Sequence, residues 1–425
     1  MRLLKTGSVG PSVQLLQLAL NRAGFGSLET DGIFGNATKY ALMRFQSDNA
    51  LDRDGIAGPV THRALLPYYT GSLTHVIRPG DTCYALARRY GTTVTAIETA
   101  NPAMLPESLR PGERAVIPLG FDVVPTTVSF CSDLVAYCCE GLSRRYPFIR
   151  LGQIGKSVMG RPLWMLTLGS GLNRVMYSAS HHANEWITTP ILLKFTEQLA
   201  RAYVSGGELA SYSAAEIMDY ATLCIVPAVD PDGMDLVTGE LSDGPFYSQA
   251  REIAAGYPRF DFPRGWKANI QGVDLNLQYP SGWEQAKINK YAQGIISPAP
   301  ADFVGKAPLS APESRALYDY TLSFSPDLVL AYHTQGQVIY WRYSDYEPPN
   351  SRPIAEAFSY SSGYTVEETP FASAFAGYKD WFIESFDRPG YTIEAGKGTN
   401  PLPITEFDRI YEQNLGILAL GALVT

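Results

Sequence analysis

The sequence predicts an α/β protein: a mixed sheet covered by helices over residues 122–425, preceded by a small three-helix unit at 1–70 and a βααβ unit at 73–119. Three observations carry this. Short apolar runs at 162–168, 174–180, 222–228, 328–332, 337–341 and 390–394 alternate with longer amphipathic stretches at 129–146, 188–204 and 312–323, the pattern of a sheet with helices on both faces. Ahead of them, Val13, Leu16 and Leu20, then Ala41 and Phe45, recur at helical spacing. Between 73 and 119 a strand, a Pro-Gly-Asp turn, two short helices and a closing strand read in order.

Composition narrows the function classes. Of 425 residues 45% are apolar and 18% charged, which describes a folded chain and not a disordered one. The net charge of −8 offers no basic stripe for nucleic acid. Residues 1–120 hold 12 basic and 9 acidic side chains, so the remainder carries about −11, a bias toward small or cationic peptides over polyanions. Five cysteines without C-x-x-C spacing (Cys83, Cys131, Cys138, Cys139, Cys224) read as reduced, mostly buried thiols. The start of the sequence lacks the apolar core of a signal peptide, and no run reaches membrane-spanning length. The expectation is synthesis in a reducing cytoplasm and no membrane partner.

In the first unit, Asp31-Gly32-Ile33-Phe34-Gly35-Asn36-Ala37-Thr38 is echoed by Asp54-Gly55-Ile56-Ala57-Gly58-Pro59-Val60-Thr61. Asp-Gly pairs make turns and the threonines can cap helices. Further EF-hand carboxylates are missing, so these are structural turns and not calcium loops. The segment resembles the peptidoglycan-binding domain family over almost its full length, with Thr61-His62 where many members have Thr-Trp. The second unit, through His75-Val76-Ile77-Arg78-Pro79-Gly80-Asp81-Thr82, Asn101-Pro102 and Val116-Ile117-Pro118, resembles the LysM family. That resemblance implies binding of N-acetylglucosamine-containing glycans beside Gly80, Asp81 and Thr82 and the Asn101-Pro102 loop.

The chemistry gathers in the third segment. Val175–Ser180 leads into His181-His182-Ala183-Asn184-Glu185, and Leu328-Val329-Leu330-Ala331-Tyr332 leads into His333. Imidazoles and a carboxylate at strand ends can hold a divalent metal with an open position. In open α/β sheets the site forms at these carboxyl ends. A His followed by a Glu three residues on is by itself a cheap pattern, equally readable as a surface histidine beside a helix-starting acid.

The ordered set is far more specific. Ser180-His181-His182-Ala183-Asn184-Glu185-Trp186, Gly272-Val273-Asp274-Leu275-Asn276, Tyr332-His333-Thr334 and Tyr391-Thr392-Ile393-Glu394-Ala395-Gly396 resemble, in sequence order, motifs of the metallocarboxypeptidase family M14. The resemblance spans roughly 125–425 and is nearest the branch of γ-D-glutamyl-diaminopimelate endopeptidases. It implies one Zn²⁺ held by His182, Glu185 and His333, with His181 in a packing or supporting role. Glu394 would be the general base, and Lys267, in Arg264-Gly265-Trp266-Lys267, would stand in for the oxyanion arginine, with Arg264 as the alternative donor. Asn276 and Arg264 are candidate substrate contacts. Tyr378 is either the mobile tyrosine that covers the substrate or an ordinary packed or surface residue.

One departure matters. Carboxypeptidases follow the motif asparagine with an arginine that clamps a terminal carboxylate, and here Asn276 is followed by Leu277. The leading expectation is therefore a zinc endopeptidase cutting the γ-D-glutamyl–meso-diaminopimelate, or L-diamino acid, bond of peptidoglycan stems, held on the glycan by its first two units. A carboxypeptidase trimming C-terminal residues, and a catalytically silent wall-binding protein, are the rivals. Action at the cell wall or on spore peptidoglycan follows from the leading expectation.

Overall fold

The computed structural model describes residues 2–424. It divides into two compact units, Met1–Ser129 with Asp133–Leu151, and Phe130–Ser132 with Gly152–Thr425.

The first unit opens with helices Pro11–Arg22, Asn36–Asp48 and Pro59–Thr70. The repeated Asp-Gly turns have one physical origin. Gly32 and Gly55 lie at φ +74° and +70°, where a side chain would be strained. A buried glutamine from the preceding helix holds each turn. Gln17 Nε2 donates to Asp31 Oδ1 at 2.7 Å while Gly32 N–H donates to Gln17 Oε1 at 3.0 Å. Gln46 does the same for Asp54 at 2.9 Å and Gly55 at 2.9 Å. Each aspartate is thus held by an amide, as a structural turn requires.

In the same unit β1 (Ser72–Val76) and β2 (Arg114–Pro118) pair antiparallel, enclosing helices Cys83–Tyr90 and Val94–Ala100. Thr82 and Thr93 cap these helices by accepting from Ala85 and Ala96 N–H. Ile77, Leu86, Ile97, Ala115 and Ile117 form the small core. Residues 133–151 group with this unit in space. Arg145 donates to the carbonyls of Gly71 and Leu119 at 3.1 and 2.8 Å, and Tyr137 stacks on Tyr69 with centroids 5.1 Å apart.

The second unit is built on an eight-stranded mixed sheet. Its strands are β3 (Arg150–Lys156), β4 (Pro162–Leu168), β5 (Asn173–Ala179), β8 (Ala221–Val226), β9 (Leu328–His333), β10 (Val338–Tyr340), β11 (Thr365–Glu367) and β12 (Gly390–Glu394), while β6 (Glu208–Leu209) and β7 (Tyr212–Ser213) form a separate hairpin. The order across the sheet is β11-β10-β12-β9-β5-β8-β4-β3. The four central strands β12, β9, β5 and β8 run parallel, and β10 and β4 flank them antiparallel. β9 and β5 are apolar and almost wholly buried, as strands covered on both faces must be. Met176, Val226, Val329 and Ala331 pack on one face against Tyr279, Tyr378, Trp381 and Phe382. All five cysteines are buried free thiols.

Candidate active site

The parallel strands bring the site residues to one edge. β5 pairs with β9, which pairs with β12, and His333 lies opposite Glu394 in that register. Ala395 N–H donates to the His333 carbonyl at 2.8 Å, which fixes the two strand ends together. At the end of β5 the chain turns through Ser180 at φ +50° into a 3₁₀ turn, Ala183–Glu185, that presents His182 and Glu185 on one side.

The resulting cluster is tight. Ligand-type atoms of His182, Glu185 and His333 all lie within 4.8 Å of one another. His182 Nδ1 is 3.0 Å from Glu185 Oε1, His333 Nδ1 is 2.9 Å from Glu185 Oε2, and the two Nδ1 atoms are 3.3 Å apart. His182 Nε2 faces Asp274 Oδ1 at 3.1 Å. With its proton given to Asp274 through Nε2, His182 offers Nδ1 as a lone pair, the arrangement of a metal-ligating imidazole with a carboxylate behind it. Two converging ring nitrogens and a carboxylate therefore fit a divalent cation. His181 plays another part: it is buried, 2.9 Å from Ser178 Oγ through Nε2, and packs on the His333 and Tyr378 rings.

The clustered groups perturb one another strongly. Burial alone would lower His182, but the Glu185 and Asp274 carboxylates push it up to about 9. Burial raises Glu185 and Asp274, yet His182 and Lys267 outweigh it and hold both carboxyls well below the usual range. Burial, with the Glu185 carboxylate nearby, pushes Glu394 up to about 8, against the pull of Lys267.

Lys267 lines the cleft with Nζ 3.4 Å from Glu185 Oε1, and its carbonyl accepts from Ala183 N–H at 3.1 Å, tying its loop to the metal-ligand turn. Arg264 is exposed and does not line the cleft, because the turn commits Trp266 to the interior. Asn276 lines the cleft, and its Oδ1 accepts from Tyr378 N–H at 3.0 Å. The covering role for Tyr378 is corrected: the residue is 0% exposed, and its hydroxyl is 2.9 Å from Thr321 Oγ1 within the core. A tyrosine that does line the cleft is Tyr340, on β10.

The cleft, about 390 Å³, also holds Lys290, Asp302, Lys379 and Asp380. Asp274 was legible only as part of Val273-Asp274-Leu275-Asn276, and its bond to His182 spans 92 residues of sequence. In the first unit, Asp81 Oδ2 accepts from Arg78 N–H and lies 2.8 Å from His75 Nε2. Asn101 spends its amide on the carbonyls of Ile97 and Val116 and accepts from Val116 N–H. Both side chains thus shape the fold, while Gly80, Thr82 and Pro102 are exposed.

Comparison with known proteins places these features. The zinc carboxypeptidase (peptidase M14) signature matches residues 135–416, the peptidoglycan binding domain signature 9–65, and the LysM domain signature 75–118. The chain is 44% identical over 283 residues to γ-D-glutamyl-L-diamino acid endopeptidase 1 of Lysinibacillus sphaericus, covering 66% of this chain and 69% of that one. It is 40% identical over 276 residues to the uncharacterized protein YqgT of Bacillus subtilis (strain 168), covering 64% and 72%. Bovine thrombin-activatable fibrinolysis inhibitor, solved with a tick carboxypeptidase inhibitor, shares the fold at TM-score 0.54 and 18% identity, covering 69% of this chain and 96% of that one. The chain belongs to the M14 zinc carboxypeptidase family of metallopeptidases.

Proposed function

We propose that the chain is a zinc endopeptidase that hydrolyses the γ-D-glutamyl–diamino acid bond of peptidoglycan stem peptides. One observation carries the reading. Leu277, buried in the wall of the cleft, stands where carboxypeptidases place the arginine that grips a terminal carboxylate. Without that bidentate grip a free C-terminus is not required. The relative at 44% identity is named for this endopeptidase activity, and the front units match families named for peptidoglycan binding and LysM.

His182, Glu185 and His333 would hold the Zn²⁺, which when bound polarises a scissile carbonyl and makes water acidic enough to attack at neutral pH. Glu394 accepts the proton from the attacking water and returns it to the leaving amine. Lys267 places a positive charge beside the anion that forms, as a point charge without the fork of an arginine. Asp274 fixes the tautomer and orientation of His182. The two front modules would tether the enzyme to glycan, with the exposed Gly80, Thr82 and Pro102 nearest the sugar, and raise the local concentration of stem peptides at the wall or on spore peptidoglycan.

Digestion of purified peptidoglycan by wild type and Glu394→Gln, with products identified by mass, tests the reading. Wild type should release new D-Glu and diamino acid ends that the variant does not. Stepwise loss of single C-terminal residues would establish a carboxypeptidase instead, and a protein that binds wall but cuts nothing would be a silent binder.

A further inference from the structure

Three lysines line the cleft, and their partners separate their tasks. Lys267, 3.4 Å from Glu185, is committed to the metal site. Lys379 is spent within the wall: its ammonium lies 2.6 Å from the Arg342 carbonyl, 3.3 Å from the Thr369 hydroxyl and 2.6 Å from Asp380. That is one partner for each of its protons. Lys290 differs. Its side chain is 10% exposed, and among the described residues its ammonium meets one polar partner, Asp302 Oδ1 at 2.6 Å. A desolvated ammonium with two further donors on a substrate cleft is equipped to take an anion.

The pair is positioned from the metal site itself. Asp302 is held at φ +69°, and its N–H donates to Asp274 Oδ2 at 3.1 Å. The other oxygen of Asp274 faces His182 Nε2. One carboxylate therefore sets both a metal-ligating imidazole and the backbone of the residue that holds Lys290. Leu277 lines the same cleft without charge.

We infer that Lys290, held by Asp302, binds a free carboxylate of the stem peptide beside the scissile bond and thereby selects the substrate. The inference rests on the γ-D-glutamyl–diamino acid reading above. In a longer stem two carboxylates flank that bond: the α-carboxylate of D-Glu, and the side-chain carboxylate of meso-diaminopimelate, which L-Lys lacks; a tripeptide adds the terminal carboxylate of its last residue, which the three test peptides share.

The test uses the full-length, zinc-loaded protein on three tripeptides: L-Ala-γ-D-Glu-meso-diaminopimelate, its L-Lys counterpart and its D-isoglutamine counterpart. Wild type should favour the first over one of the others by about tenfold or more in kcat/KM, the worth of one charge-assisted hydrogen bond. Lys290→Met should bring that ratio toward one, and Lys290→Arg should keep it. A preference lost against the L-Lys peptide assigns the diaminopimelate carboxylate; one lost against the isoglutamine peptide assigns D-Glu. Equal wild-type rates on all three overturn the inference without any variant, as does a Lys290→Met protein that slows on all three by one factor. A wild type that cuts none of them at the D-Glu–diamino acid bond refutes the earlier reading and takes the anchor with it.

Discussion

Asp274→Asn changes one atom and one charge, yet it touches three elements of the site. The carboxylate accepts from His182 Nε2 and Asn276 N–H at Oδ1, and from Asp302 N–H at Oδ2, each at 3.1 Å. An asparagine can keep its oxygen toward His182 and Asn276, but its amide then faces the Asp302 N–H, donor against donor. The alternative orientation leaves His182 without an acceptor. Either way the imidazole loses a full negative charge behind it and becomes a weaker ligand. Removing such a supporting carboxylate costs about 10- to 100-fold in metal affinity, or about 1.4 to 2.8 kcal/mol. Competition between the protein and a chromophoric chelator for Zn²⁺ reads this directly, with a circular dichroism spectrum to establish that the variant is folded. Activity should fall further than zinc loading explains, because the Asp302 loop is disturbed as well. A folded Asp274→Asn protein with wild-type zinc affinity would refute the assignment of His182 Nδ1 as the metal-facing nitrogen.

Other perturbations separate catalysis from structure. Glu394→Gln should lose about 10²- to 10⁴-fold in kcat while binding zinc normally in the same chelator assay; retained turnover would remove it as the base. Tyr378→Phe should leave kcat/KM within about twofold and lower stability by about 1 kcal/mol, since the buried hydroxyl's contacts with Thr321 Oγ1 and Met176 Sδ are lost; a large activity loss would restore a substrate-facing role. Gln17→Ala leaves Gly32 N–H and Asp31 without their buried partner and should cost about 1 to 3 kcal/mol in the first unit, seen as an earlier transition by calorimetry. Burial pushes Glu313 up to about 7 from an ordinary 4.5, so the folded chain holds a proton that the unfolded chain releases between those values. Its contribution is full below about pH 4.5 and is lost as pH rises through 7. The melting temperature should therefore fall less steeply from pH 5 to 8 in Glu313→Gln than in wild type, and equal slopes would count against a neutral buried Glu313.

What the sequence reveals depends on how far apart the deciding residues lie. His182, Glu185, His333 and Glu394 are legible because each follows an apolar strand whose burial the composition already announces, and parallel pairing then brings the strand ends together. The edge strands β3 and β11 escape notice: one is interrupted by Gly152 and Gly155, and the other is three residues long. Tyr378 is ambiguous in sequence because a tyrosine next to a glycine turn suits either a lid or a core, and only its packing with Tyr279 and Trp381 decides. Arg264 and Lys267 are chemically similar candidates three residues apart. Burying Trp266 between them sends one to solvent and the other to the cleft. Lys290 and Asp302 carry no motif at all, since their meaning lies in a hydrogen bond to Asp274 across 28 residues.

The charges lining the cleft explain why this set of residues calls for a divalent ion and for the residues around it. Five carboxylates, on Glu185, Asp274, Asp302, Asp380 and Glu394, face three ammonium groups, on Lys267, Lys290 and Lys379. With all five carboxyls ionised and His182 neutral, the cleft would carry an excess of negative charge, and the rises of His182 to about 9 and of Glu394 to about 8 offset it with protons. A dication held by His182, Glu185 and His333 would cancel that excess and take the place of the proton on His182. Glu394 would then face a positive neighbour instead of an unscreened Glu185, which would shift it back toward the ionised form a general base needs. The lysines then have separate work: Lys267 beside the reacting centre, Lys379 within the wall, and Lys290 with protons to spare for a substrate carboxylate. If Lys290 is the anchor inferred above, its spare protons suit a peptide that brings its own free carboxylate close to the bond being cut, as a γ-linked D-glutamate or a meso-diaminopimelate side chain does.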